Sequence, residues 1–218
     1  MRVFIAIDID EKARGAIADL QKQLAAKVDI KKVDSTHSTS SGQASSPRGD
    51  VKWVEPENIH LTLKFLGEID DSKLPEIQEI TKQVAEAHNK FTLDIETVGS
   101  FGGRSAKVVW AGVSAWHGLP ARENTAKMAV PQELITLQKD LDEHLTLAGY
   151  PSEEREFSAH LTLCRVRNPK AGIKLAEACK AFEDYSIGSI SADALCVYQS
   201  QLTPAGPIYT LLASFKLA

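Results

Sequence analysis

Nowhere in its 218 residues does this chain carry an apolar run of the ~20 residues that a membrane-spanning helix needs. The short apolar stretch in MRVFIAIDID is interrupted by Asp8 and lacks a small-residue cleavage site, so no secretory leader is expected and a cytoplasmic location is. Cysteine is scarce. Cys164, Cys179 and Cys196 are widely spaced and form no C-x-x-C pair, which argues against a disulfide scaffold and a zinc ribbon. An excess of positive charge is also missing. Lys and Arg total 25 against 29 Asp and Glu, a net charge of −4, which excludes a protein that coats nucleic acid with a broad cationic surface. A few local cations could still hold one phosphate. There is no Walker loop, no G-x-G-x-x-G turn and no G-x-S-x-G elbow. What is present is ordinary for a globular protein: 43% hydrophobic and 25% charged residues, in a length that suits one domain or two small halves sharing a core.

Arg2 to Ile9 alternates and is rich in β-branched residues, which predicts a strand. Asp10 then caps a helix to about Lys27, with Ala13, Ile17, Leu20 and Leu24 at helical spacing. Residues 31–50 are dense in Ser, Thr and Gly. They have too little apolar surface to offset the entropy of ordering, and a flexible loop insertion is expected there. Short strands are predicted at Val51–Val54 and Ile59–Leu66, a helix at Lys73–His88, and strands at Phe91–Val98 and Lys107–Val113. Residues 116–130 read as a second loop. Pro131 opens a helix with Leu134, Leu137, Leu141 and Leu145 on one stripe, and Gly149 and Pro151 stop it. A strand at Ala159–Val166, a helix at Lys170–Phe182, and strands near Ile187–Gln199 and Ile208–Leu217 complete the chain. Helices mixed with sequence-adjacent strand pairs predict an α+β fold with largely antiparallel sheets. The two halves look alike in plan, which points to an internal pseudo-repeat.

His-Leu-Thr-Leu occurs three times, at His60–Leu63, His144–Leu147 and His160–Leu163. On a strand, a histidine and a threonine two residues apart share one face at about 7 Å, while the leucines point into a core. On a helix they diverge. The first and third copies sit in extended apolar segments. The second lies on the leucine-striped helix, where a histidine near the C-terminus is explained by the helix dipole. His60 with Thr62, and His160 with Thr162, therefore form a candidate pair of imidazoles and hydroxyls facing one groove. One imidazole would take a proton from water and the other protonate the leaving oxygen across phosphorus, with the hydroxyls on the non-bridging oxygens. This scheme needs no metal and no cofactor, and neither motif has a second metal ligand at adjacent spacing. Simple alternation from His160 puts Cys164 on the histidine face and Arg165 on the opposite one, unless the strand bulges. Lys64 is expected near the site.

With these motifs the chain resembles the two-histidine (2H) phosphoesterases, and within them the bacterial and archaeal RNA 2′,3′-cyclic phosphodiesterases once called 2′-5′ RNA ligases. RVFIAIDID, VKWVEPENIHLTLKFLGEI, KVVWAGV, EREFSAHLTLCRVR and CVYQSQLTPAGPIYTLLASFKL carry the resemblance over nearly the whole chain. It implies one domain over 1–218, built of two similar lobes whose largely antiparallel sheets form a central cleft, with helices outside. It implies that His60 is the proton donor and His160 the proton acceptor, that Thr62 and Thr162 bind phosphate, and that Arg165 assists. The implied reaction opens 2′,3′-cyclic phosphate ends of RNA, or of nucleosides, to 2′-phosphates, with reverse 2′-5′ ligation in some members. A monomer that needs no membrane is expected. Two alternatives stand beside this: a cyclic phosphodiesterase for a small nucleotide such as a cyclic phosphate of ADP-ribose, and a non-catalytic nucleotide-binding module.

Overall fold

In the computed structural model, residues 1–28, 50–114, 130–153, 156–204 and 206–218 are described. The insertion expected at 31–50 and the loop expected at 116–130 lie outside the described residues, apart from Asp50 and Val130 at their ends.

The N-terminal segment forms β1 (Arg2–Asp8), and Asp10 then caps α1 (Glu11–Val28) by accepting the Ala13 N–H at 2.7 Å. Next come β2 (Val51–Trp53), β3 (His60–Glu68) and α2 (Leu74–Ala87). The chain continues through β4 (Phe91–Phe101), β5 (Val108–Ser114), α3 (Gln132–Leu147), β6 (His160–Val166) and α4 (Pro169–Cys179). It ends in β7 (Ser186–Ala192), β8 (Ala194–Leu202) and β9 (Pro207–Lys216). The leucine stripe of α3 is wholly buried. Gly149, at φ 93°, closes that helix, and the Tyr150 N–H returns to the Leu145 carbonyl at 3.0 Å.

Among the described residues the strands form one nine-stranded antiparallel sheet, in the order β7-β4-β5-β6-β3-β1-β8-β9, with β2 also on β6. Apart from β2, the sheet consists of two four-strand groups that meet at a single register pair, Leu61↔Leu161. One group, β4 to β7, is contiguous in the chain, whereas β1, β3, β8 and β9 come from its two ends. A single strand was expected at Ile187–Gln199. The structure instead has β7 on β4 and β8 on β1, in different groups, with Asp193 between them. Asp193 holds this crossing by accepting the Leu217 N–H at 2.8 Å and the Ser191 hydroxyl at 2.6 Å. A local apolar run cannot announce a change of sheet partner that a distant strand supplies.

Helices cover one face of the sheet. α1 packs with α4 and β7, and α2 with α3, β8 and β9. The core of Val3, Ile5, Ile7, Leu61, Leu63, Leu161 and Leu163 against the helical leucines lies on that side. The opposite, open face carries the alternate residues.

Candidate active site

β3 and β6 run antiparallel, and the pair Leu61↔Leu161 sets their register. Continued by one residue each way, this register faces His60 toward Thr162 and Thr62 toward His160, all four on the open face. Both leucines are fully buried on the helix side. In such a pair the two histidines are diagonal neighbours, about 7–8 Å apart at Cα, which leaves room for one group between the imidazoles.

The same local register recurs around each motif. On one side the pairs are Asp8↔His60, Ala6↔Thr62, Ile5↔Lys64 and Phe4↔Phe65. On the other they are Gly112↔His160, Trp110↔Thr162, Val109↔Cys164 and Val108↔Arg165. Each motif strand therefore carries an extra residue just after its threonine. A β-bulge of this kind turns two consecutive side chains to one side and shifts the alternation. Leu163 and Cys164 are both buried in the core, and Arg165 returns to the open, exposed side with His160 and Thr162. The bulge is held from behind: the buried Gln21 amide donates to the Leu163 carbonyl at 2.9 Å and to the Val54 carbonyl at 2.8 Å. The Val54 N–H donates to the same Leu163 oxygen at 2.9 Å.

Two expectations are corrected by this geometry. Cys164 does not share the face of His160; it is fully buried, and burial pushes its thiol up to about 12. Lys64 is not at the site. The equivalent bulge in β3 turns it into the core at 2% exposure, where its ammonium donates to Asp142 at 2.5 Å and to the Pro151 carbonyl at 2.6 Å. Its place on the open side is taken by Phe65, 58% exposed.

His60 opens β3 directly after a single 3-10 turn, Pro56–Asn58, and its ring hydrogen-bonds the backbone of Asn58. The imidazole stacks on Phe4 with centroids 4.6 Å apart and meets Tyr209 edge-on at 5.2 Å. Tyr198 also stacks on Phe4, at 5.3 Å, and its ring lies 6.2 Å from the imidazole itself. Burial among these rings lowers the His60 pKa to about 4, against a smaller upward pull from the Asn58 backbone and Asp8 and a downward push from Arg14.

His160 opens β6 in the matching way, and its Nδ1–H donates to the Ser158 carbonyl at 2.7 Å. That bond leaves Nε2 facing the groove without its proton in the neutral ring. Phe101 meets this imidazole edge-on at 5.2 Å. The Trp110 indole lies over Gly99, where a Cβ would come within 2.3 Å of the ring. Burial lowers the His160 pKa, the Ser158 backbone opposes this, and Arg165 lowers it further. Arg165 is thus electrostatically close to His160.

His144 is on α3, exposed, with Nδ1 bonded to the Asp140 carbonyl one turn back at 2.8 Å, as its helical period predicts. The aromatic groups and Asp8 were not singled out from sequence. A usable signal existed: in RVFIAID the alternation that buries Val3, Ile5 and Ile7 sends Phe4, Ala6 and Asp8 to the other face.

The chain is similar to known proteins over most or all of its length. The profile described as LigT like Phosphoesterase matches residues 43–110 and 127–209. The RNA 2′,3′-cyclic phosphodiesterase of Methanothermobacter thermautotrophicus is 33% identical over 218 residues, covering 100% of this chain and 99% of that protein. Its counterpart from Methanocaldococcus jannaschii is 30% identical over 97% of this chain and 98% of its own. Among solved structures, a Thermus thermophilus protein superposes with a TM-score of 0.69 at 22% identity, covering 100% of this chain and 98% of the other. LigT of E. coli complexed with 3′-AMP does so with a TM-score of 0.65 at 23% identity, over 99% and 97%. With a match over most of its length and full-length relatives at 30% identity or above, this chain belongs to the LigT-like, two-histidine phosphoesterase family.

Proposed function

We propose that the protein is an RNA 2′,3′-cyclic phosphodiesterase that opens 2′,3′-cyclic phosphate ends to 2′-phosphates with two histidines as acid and base. The observation that carries this reading is the pair of His-x-Thr triplets on one face of two antiparallel strands, joined at Leu61↔Leu161. The names and full-length coverage of the relatives support the substrate class.

In this reading the phosphate sits between the imidazoles. His160 accepts a proton from water through Nε2, and the oxygen attacks phosphorus. The P–O3′ bond breaks on the far side, and His60 delivers its proton to O3′. The Thr62 and Thr162 hydroxyls and the Arg165 guanidinium hold the non-bridging oxygens, where charge accumulates. In the free protein burial favours the neutral form of both rings, His60 most strongly at about 4, so the proton on His60 is taken up as the anionic phosphate enters between them. The smaller fixed charges lean the same way, Asp8 raising His60 against Arg14, and Arg165 lowering His160. After turnover His60 is neutral and His160 protonated, and exchange with solvent resets both.

Both histidines come from one chain, so the site requires no second copy, and we take the working form to be a monomer. The three cysteines are unpaired and buried, which fits a reducing, cytoplasmic setting. Among the described residues no helix is long and apolar enough to cross a membrane. We read residues 1–218 as one domain of two similar lobes, a reading supported by the matched registers around the two motifs.

The test is hydrolysis of 2′,3′-cyclic AMP and of an RNA ending in a 2′,3′-cyclic phosphate, with the product position read by phosphorus NMR. Replacing His60 or His160 by Ala should each cost about 10²–10⁴-fold in rate, with His144→Ala close to wild type. Substantial turnover in His160→Ala would sink the mechanism. A clear preference for a cyclic phosphate on ADP-ribose would move the substrate assignment and leave the chemistry.

A further inference from the structure

The two motifs match residue for residue in backbone register, so strand geometry alone would make the two imidazoles interchangeable. They differ in what stands across from each. The partner of His60 is Asp8, and the partner of His160 is Gly112, which brings no side chain at all.

Asp8 is held in place. Its carboxylate is ion-paired with Arg14 and accepts the Tyr198 hydroxyl at 3.0 Å. Arg14, whose side chain is 11% exposed, reaches from α1 to the backbone that leads into His60. Its guanidinium donates to the Pro56 carbonyl at 2.8 Å and to the Ile59 carbonyl at 3.4 Å. These residues bracket Asn58, whose backbone bonds the His60 ring. Fixing both ends of that turn fixes the direction of the imidazole.

We propose that Asp8 and Arg14 form a positioning pair for His60: Arg14 clamps the turn that orients the ring, and Asp8 cancels the clamp's positive charge beside it. This rests on the reading of His60 as the proton donor. A guanidinium near a general acid disfavours the protonated ring, so a clamp of this kind works only with its charge compensated. On the His160 side no compensation is called for, because a proton acceptor gains from a nearby cation. Asp8 against Gly112 is thus an asymmetry of compensating charge between the two rings, added to the burial that lowers both.

Among the described residues, the groups facing His60 are Asp8 from β1, Arg14 from α1, Tyr198 from β8 and Tyr209 from β9, with Thr162 and the diagonal His160 across on β6 and Thr62 on its own strand. Glu11, fully out in solvent, approaches the other side of Arg14 at 3.7 Å. The Asp8 side chain is 44% exposed, so water weakens its field, and neutralising it is expected to change the proton equilibrium of His60 only roughly threefold.

The experiment is an NMR titration of the histidine rings in the free full-length protein, for wild type and three variants, alongside pH profiles of kcat/KM. Asp8→Asn should lower the His60 titration and leave His160 unmoved, and kcat/KM near neutrality should fall about threefold with little change in KM. Arg14→Gln should raise the His60 titration, and Arg14→Lys should bring it back toward wild type because the charge returns. A pocket that merely loosens would instead let His60 drift upward toward the ordinary imidazole value in every variant. A His60 titration that rises or stays put in Asp8→Asn overturns the proposal. So does an Arg14→Lys titration no different from Arg14→Gln, a comparison available even if Asp8→Asn fails to fold. Absence of turnover by the wild type would count against the functional reading alone, since the titrations need no substrate.

Discussion

Burying His60 as a neutral ring has a consequence for stability that does not depend on any substrate. Its titration lies at about 4 in the folded protein. In the unfolded chain an imidazole titrates near 6.5. A base whose folded value is depressed binds fewer protons in the native state than in the unfolded state between those two values. Stability is therefore fully present above the unfolded value and falls as pH drops through the window toward 4. Integrating from about pH 7.5 to pH 5 gives a loss of about 2 kcal/mol from this one ring. His160, also lowered by burial, adds in the same direction. The perturbation is His60→Gln, which keeps a polar side chain of similar reach and removes the titration. Urea unfolding of both proteins at the two pH values isolates the term, because carboxylates common to both cancel in the difference. The wild type should lose about 2 kcal/mol more than the variant on acidification, whatever their relative stability at pH 7.5. Parallel losses within about 0.5 kcal/mol would mean that the ring is protonated in the folded protein at pH 5, and would refute the account of a desolvated His60 stacked on Phe4.

Two further outcomes follow from the packing behind the site. Lys64→Met removes a buried cation, takes the donor from the Pro151 carbonyl and leaves Asp142 with only the Ser152 hydroxyl and the Glu153 N–H. A cost of about 3–5 kcal/mol is expected, seen as a fall in Tm of roughly 10 °C by calorimetry, and Tm within a degree or two of wild type would contradict it. Gln21→Leu deprives the Leu163 carbonyl of one of its two donors and the Val54 carbonyl of its side-chain donor. It should cost about 1–3 kcal/mol in stability and reduce the share of kcat/KM that depends on Arg165, measured as the ratio of the two rates with and without Arg165→Ala.

Sequence reading reached different parts of this molecule with different success. The helices were legible because their apolar spacing is a local property, and α1, α2 and α3 fall within a residue or two of where periodicity puts them. The helical placement of His144 was legible for the same reason. The motif histidines and threonines were legible as a shared face because alternation is also local. Alternation fails where a strand takes an extra residue. Cys164 and Arg165 exchange faces at one bulge, and Lys64 gives way to Phe65 at the other. Nothing in HLTLCR or HLTLKF announces that extra residue. It is set by the partner strand, and in β6 by the Gln21 amide that satisfies the freed carbonyl from a helix 142 residues away in sequence.

The amino-acid order by itself singled out candidates for the chemistry: two imidazoles, two hydroxyls and a nearby guanidinium, each in an extended segment. Those are properties of residue type and short-range period. The tertiary structure decided which of these residues meet, which way each points and how the two histidines differ. Register between β3 and β6 brings the motifs together, bulges return Arg165 to the open face, and Asp8 faces one imidazole while Gly112 faces the other. These depend on contacts between strands far apart in the chain, and the field at a buried ring is a sum over neighbours that only folding assembles.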